Sequence, residues 1–132
     1  MASSLPNSDP PGSIVVVDDE QTLLTLLTRT LNRAGYNVAG FLSAEAAAAQ
    51  VNEPPDILVT DQQLPGMTGV ELAVLWTSAW PKLRAIISSG LPVEVPNSPD
   101  GEPLRIRTLQ KPFSPDDLLM AIADAINSAA AE

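Results

Sequence analysis

Two kinds of apolar pattern alternate along the chain. Short, continuous apolar runs rich in β-branched residues are typical of strands buried on both faces of a parallel sheet. Longer segments, in which apolar residues recur every three or four positions, are typical of helices with one buried face. The predicted strands are 14–17, 38–41, 57–60, 84–88 and 104–109, and the predicted helices are 21–34, 44–51, 70–80 and a last helix after Ser114. This alternation predicts a parallel α/β sheet.

Side-chain caps mark the start of two of these helices. Thr68 and Glu71 form a Thr-x-x-Glu capping box at the third predicted helix. Ser114 precedes Pro115 at the last helix, where a serine cap and a proline in the first helical position are both favoured. The caps strengthen the prediction of both helices.

A Pro-rich segment breaks the alternation between the fourth and fifth strands. Prolines occupy positions 92, 96, 99 and 103, and no regular helix tolerates prolines at that density. We therefore predict a doubly wound, five-stranded parallel sheet of flavodoxin-like type, in which a Pro-rich loop replaces the fourth helix. In such sheets the ligand binds outside the carboxyl ends of the strands.

Length and composition indicate a single domain. The chain has 132 residues, enough for one hydrophobic core, and we expect no further output domain within it. Residues 1–12 are rich in Ser, Pro and Asn, so we expect a disordered N-terminal tail followed by the domain at 13–132. The tail has no apolar stretch and no Lys or Arg, and it does not resemble a secretory signal.

Charge and missing residue types exclude several functions. Sixteen acidic and seven basic residues give a net charge of −9, the wrong sign for direct binding to nucleic acid. No apolar run approaches the ~20 residues of a membrane span, so no membrane association is expected. The absence of cysteine rules out disulfides and thiolate metal sites, and it fits a cytoplasmic protein.

Carboxylates follow two of the predicted strands. Asp18 and Asp19 come after the first strand and Asp61 after the third, so a parallel sheet brings all three to one edge. Carboxylates at close range repel one another unless a pKa rises or a cation compensates. Oxygen-only ligands favour Mg²⁺, with Mn²⁺ as a substitute. Asp18 and Asp19 could instead be a helix cap and a first-turn acid, and Asp61 a loop residue ahead of the turn 64–66.

A hydroxyl and a positive charge are predicted at the same edge. Ser89 follows the fourth strand and Lys111 the fifth. Alone, the serine would be a turn residue and the lysine a solvated charge. Together with Asp61 as a carboxylate nucleophile, they supply the groups that phosphoryl transfer needs.

The order and spacing of these residues resemble the receiver (CheY-like) domain of two-component response regulators. The resemblance covers roughly residues 13–128, and its landmarks are the run Val17-Asp18-Asp19-Glu20, Asp61, the pair Ser89-Gly90 and the run Lys111-Pro112-Phe113. It implies a phosphoacceptor that catalyses its own phosphorylation on Asp61 and its slow dephosphorylation, rather than an enzyme with a separate substrate. Because the chain has no histidine, the phosphohistidine donor would be a separate histidine kinase or histidine phosphotransfer protein.

The resemblance also implies a metal-ligand set. Asp19 would bind Mg²⁺ directly, and Asp18 would bind it directly or through water. Asp61 would be both metal ligand and nucleophile, and the backbone carbonyl of Gln63 would supply another oxygen.

Further roles follow from the same resemblance. Lys111 would pair with one phosphoryl oxygen and Ser89 would hydrogen-bond to another. A cis peptide bond before Pro112 would aim the lysine inward, whereas a trans proline would merely stop the strand.

Two positions bear on signalling and on the lifetime of the phosphoryl group. Receivers usually carry an aromatic switch residue where this chain has Thr108. We therefore expect output through another surface, through the 91–103 loop, or by carrying phosphate, to a partner that the sequence does not identify. Leu91 and Gln63 flank the path of water to an acyl phosphate, and we hypothesise that the apolar Leu91 slows dephosphorylation.

Other functions stay open at this point. The chain could be a receiver excised from a hybrid histidine kinase. A haloacid dehalogenase-type phosphatase needs an acid where Gln63 stands, and an FMN site would be repelled by Asp18, Asp19 and Glu20. An unphosphorylated interaction module would fit Thr108 and the Pro-rich loop, but it would not explain the phosphoryl-transfer residues.

Overall fold

The computed structural model describes residues 12–96 and 105–131, with side chains described as far as residue 127. Five strands and four helices form the regular structure of this part of the chain. The strands are β1 (Ser13–Val17), β2 (Asn37–Phe41), β3 (Ile57–Asp61), β4 (Arg84–Ser89) and β5 (Ile106–Gln110). The helices are α1 (Gln21–Arg33), α2 (Ala44–Gln50), α3 (Gly69–Ala79) and α4 (Pro115–Ala131).

The strands form one parallel sheet in the order β2-β1-β3-β4-β5. β2 pairs with one edge of β1, and β3 pairs with the other edge. The direction in which strands are added to the sheet therefore reverses between β1 and β3. Ligand sites of doubly wound sheets lie at such a reversal, outside the carboxyl ends of the strands. The predicted flavodoxin-like fold is therefore confirmed.

Helices cover both faces of the sheet. One apolar layer joins α1 and α4 to the sheet through residues such as Leu27, Val59 and Ile122. The other layer joins α2 and α3 to the opposite face through residues such as Leu58 and Trp76. Successive side chains of a strand point to opposite faces of the sheet. Because helices cover both faces, a central strand such as β3 is apolar on both of them.

Both predicted helix caps are present. The Thr68 hydroxyl accepts a hydrogen bond from the Glu71 backbone N–H, and the Glu71 carboxylate accepts one from the Thr68 backbone N–H. Ser114 and Asp117 form the same reciprocal pair at the start of α4. These bonds satisfy donors that a helix start leaves without partners.

Two sequence predictions fall wholly or partly outside the described residues. The predicted tail lies there except for Gly12, whose carbonyl accepts a hydrogen bond from the Asn37 N–H. Residues 91–96 form neither helix nor strand, and residues 97–104 lie outside the described part of the chain. Replacement of the fourth helix by a loop therefore stays a prediction.

Candidate functional site

Asp61 and Lys111 form an ion pair at the carboxyl edge of the sheet. Asp61 is the last residue of β3 and is buried, and Lys111 follows β5 and is partly exposed. The Lys111 Nζ lies 3.0 Å from the Asp61 Oδ1. The two residues lie on either side of β4, at the carboxyl ends of β3 and β5, so the strand order brings them to the same edge of the sheet.

Asp18 lies directly after β1 and is almost fully buried. Its Oδ1 accepts a hydrogen bond from the Glu20 backbone N–H at 2.9 Å, whereas its Oδ2 is buried without a hydrogen-bond partner. Burial raises the pKa of Asp18, the hydrogen bond from Glu20 lowers it, and the negative charge of Asp61 raises it again. A buried carboxylate oxygen without a partner is expensive, which points to a cation as the missing partner.

Three carboxylates converge at this edge. One oxygen each of Asp18, Asp19 and Asp61 lies within 4.8 Å of the other two. Asp18 and Asp61 are buried and Asp19 is exposed. These oxygens, together with the unpartnered Oδ2 of Asp18, could bind a metal ion. The alternative role of Asp19 as a first-turn acid is excluded, because α1 begins at Gln21 and has no acid in its first turn.

Ser89 completes the edge on the side of β4. It is the last residue of that strand and is buried, and its backbone carbonyl accepts a hydrogen bond from the Lys111 N–H at 2.8 Å. The Ser89 Oγ accepts a hydrogen bond from the Leu91 N–H at 3.1 Å. Leu91 is 72% exposed. The structure thus brings the predicted serine beside the predicted lysine.

The remaining predicted residues lie around this centre. The Lys111–Pro112 peptide bond is cis, as the resemblance implied. Gln63 is exposed in the loop after β3. Thr108 is exposed on β5 and lines a cavity of about 260 Å³ together with Ser89 and Leu91.

Two residues that sequence analysis missed hold the loop after Asp61. The Gln62 backbone carbonyl accepts from the Gly69 N–H at 3.0 Å, and the Gln62 Oε1 accepts from the Val70 N–H at 2.9 Å. A Cβ added at Gly69 would lie 2.5 Å from the Asp61 carbonyl oxygen, so only glycine allows α3 to start this close to Asp61. A glycine in the first helical position is a recognisable signal, because it is a poor helix former. The Gln62 contact gives no local signal, since its partner is eight residues away.

Comparisons with known proteins identify the family. The profile of the response regulator receiver domain matches residues 14–123. The chain is 31% identical over 110 residues to the response regulator receiver protein CpdR of Brucella abortus, covering 83% of this chain and 92% of CpdR. The chain therefore belongs to the response regulator receiver family of two-component systems.

A second relative shows the same domain within a longer protein. The chain is 32% identical over 127 residues to the hydrogenase transcriptional regulatory protein HoxA of Cupriavidus necator, covering 92% of this chain but only 25% of HoxA. Relatives of this length carry regions that have no counterpart here.

Solved structures show the same fold. A CheY-like receiver domain protein from Methanospirillum hungatei matches with a TM-score of 0.75 and 25% identity, over 89% of this chain and 95% of that one. The chemotaxis regulator CheY4 of Vibrio cholerae matches in fold with a TM-score of 0.68 and 24% identity, over 86% of this chain and 97% of that one.

In the part of the chain that the structure describes, no helix has the length and apolar character of a membrane span.

Proposed function

We propose that Asp61 accepts a phosphoryl group from a separate histidine kinase or histidine phosphotransfer protein, in a Mg²⁺-dependent step of a two-component phosphorelay. The observation that carries this proposal is the convergence of Lys111 and the carboxylates of Asp18 and Asp19 on Asp61. A carboxylate oxygen of Asp61 attacks phosphorus, and the bond from phosphorus to the donor imidazole breaks with its electron pair returning to nitrogen. The product is an acyl phosphate on Asp61.

The metal ligands proposed are Asp18, Asp19, Asp61 and the backbone carbonyl of Gln63. Mg²⁺ suits a site made only of oxygen ligands, and Mn²⁺ would replace it. When bound, the ion neutralises charge on the phosphoryl oxygens. Support comes from the three carboxylate oxygens within 4.8 Å of one another and from the unpartnered Asp18 Oδ2.

Lys111 and Ser89 are proposed to bind the phosphoryl oxygens. Lys111 already contacts an Asp61 oxygen, so a short side-chain movement brings its ammonium to the oxygens of the acyl phosphate. The Ser89 Oγ accepts from Leu91, which leaves the hydroxyl proton available to donate. Both contacts stabilise negative charge as it moves onto the protein.

The chain would act as a phosphoacceptor in the cytoplasm and not as a turnover enzyme. It would catalyse its own phosphorylation and lose the phosphoryl group slowly to water. Leu91, exposed beside Ser89, is proposed to limit that hydrolysis. The protein that receives the signal would be a separate partner.

Intact mass measured after incubation with acetyl phosphate tests the proposal. We expect a gain of one phosphoryl group with Mg²⁺ present and no gain after chelation. Asp61→Asn keeps the size of the side chain but removes the nucleophile, and it should show no gain under either condition. An equal gain in Asp61→Asn would reject Asp61 as the acceptor. No gain in the native chain under any condition would favour the unphosphorylated interaction module.

A further inference from the structure

Helix α3 presents to solvent a face that carries no charge after its first turn. Leu75 is 56% exposed, and Ser78 and Ala79 are exposed beside it. These residues and Glu71 recur at three- and four-residue steps, so they share one side of the helix. The opposite side packs into the core through Leu72, Ala73 and Trp76.

Opposite charges lie at the two ends of this face. The exposed Glu71 stands in the first turn of α3. The exposed Lys82 follows the helix, and the Arg105 guanidinium donates to the Pro81 carbonyl at 2.9 Å, so a second basic residue lies at the same end. No charged residue occurs between Glu71 and Lys82. The uncharged stretch of α3 is therefore preceded by a negative charge in the first turn and followed by positive charges beyond the end of the helix.

We propose that a second copy of this chain docks on this face, with the two α3 helices antiparallel. A two-fold interface must be self-complementary, because the same patch is used by both copies. Antiparallel pairing brings Glu71 of each copy to the end of the other copy's helix, which Lys82 follows. In the same register, Leu75 lies opposite the small Ser78 of the second copy, so a large side chain meets a small one.

The overall charge favours this face over the rest of the surface. The chain carries a net charge of −9, so two copies repel each other at most orientations. The helix dipole also favours an acid near the start of a helix and a base near its end, and this effect alone would account for the positions of Glu71 and Lys82. The dipole does not explain why the exposed face between them has no charge and presents Leu75.

The expected association is weak and depends on concentration. Stable complexes bury roughly 800 Å² per partner, and one face of a three-turn helix offers less than that. A monomer–dimer equilibrium is expected even without phosphorylation, so the proposal does not depend on chemistry at Asp61.

Sedimentation equilibrium of the full chain over a range of concentrations tests the proposal. We expect the weight-average mass to rise from monomer toward dimer. Leu75→Glu should raise the dimer dissociation constant by about tenfold or more, because it places two like charges in the interface. Met120→Glu is the matched control: Met120 is 66% exposed on α4, across the sheet from α3, and should leave the constant unchanged. A monomer at every concentration, or equal effects of the two variants, would overturn the proposal.

A charge-reversal pair tests the antiparallel register. Glu71→Lys and Lys82→Glu each create like-charge contacts in a homodimer, and each variant alone should associate more weakly than the native chain. An equimolar mixture restores both contacts in the heterodimer and should associate more strongly than either variant alone. Circular dichroism of each variant checks that Glu71→Lys, which breaks the capping box, leaves the chain folded. A mixture no stronger than its components would rule out this register.

Discussion

At the scale of single residues, Asp61 and Asp18 each have one carboxylate oxygen with a cation or a hydrogen-bond donor as a partner. The Lys111 ammonium forms an ion pair with the Asp61 carboxylate, and the Glu20 backbone N–H donates a hydrogen bond to one oxygen of Asp18. The second oxygen of Asp18 has no such partner. Burial of Asp18 outweighs the hydrogen bond from Glu20, and the pKa of this carboxylate is raised.

Asp18→Asn should stabilise the chain at neutral pH in the absence of metal. Burial raises the pKa of Asp18 in the folded protein above its ordinary value of 3.8. The stabilising contribution of Asp18 is thus fully present below pH 3.8 and is lost as the pH rises through the raised pKa. Thermal unfolding from pH 4 to 8 with a chelator should show an advantage of Asp18→Asn that grows with pH. An advantage that is constant with pH would contradict this assignment.

Leu91→Asn should shorten the life of the phosphoryl group. The substitution places a polar side chain beside Ser89 and admits water to the acyl phosphate. We expect hydrolysis to speed up by about tenfold, which corresponds to ~1.4 kcal/mol in the barrier. Intact mass followed over time after removal of acetyl phosphate gives the rate. Leu42→Asn, at another exposed leucine, is the control, and an unchanged lifetime in Leu91→Asn would reject the hypothesis.

At the scale of elements, the start of α3 is tied to the end of β3. Gln62 provides acceptors for the first two N–H groups of α3, and the Thr68 hydroxyl accepts from the Glu71 N–H. Gly69 lets the helix start against the carbonyl of Asp61. The backbone around the proposed nucleophile is therefore held by a helix as well as by the sheet.

Gln62→Met should loosen this junction. Methionine has nearly the same length but no oxygen, so the Val70 N–H would lose its acceptor at a cost of about 1 kcal/mol. Urea unfolding should show this loss, and calorimetric titration should show weaker Mg²⁺ binding because the loop at Gln63 is less well fixed. Gln62→Glu keeps an acceptor at a helix start, where negative charge is favourable, and should restore both properties. Equal Mg²⁺ affinity in Gln62→Met and the native chain would exclude a positioning role.

Sequence patterns predict elements well where the signal is local. The β-branched runs, the Thr68–Glu71 capping box and the serine cap at Ser114 lie within a few residues of the structures that they specify, and strand ends such as Asp61 and Ser89 follow directly from them. The Gln62 contact and the Lys111–Asp61 ion pair depend on the folded chain bringing distant residues together. The predicted strand ends placed Lys111 at the same edge of the sheet as Asp61, and the receiver resemblance supplied its role toward a phosphoryl oxygen.

At the scale of the whole molecule, the proposed chemistry and the proposed association use different surfaces. The carboxylates and Lys111 lie at the carboxyl edge of the sheet, whereas Leu75 lies on the outward side of α3. Thr108 is exposed on β5, at the position where the receiver resemblance implies an aromatic residue, and output from another surface stays a prediction. The hydrogen bond from the Val70 N–H, in the first turn of α3, to the Gln62 side chain connects this helix to the residue that follows Asp61.

The most direct test of the account is to locate the phosphoryl group on the chain. After incubation with acetyl phosphate and Mg²⁺, borohydride reduction converts an aspartyl phosphate to homoserine, and tandem mass spectrometry then reads its position. We predict homoserine at position 61 alone, and none when Mg²⁺ is chelated. Homoserine at another aspartate, or its formation without Mg²⁺, would contradict it.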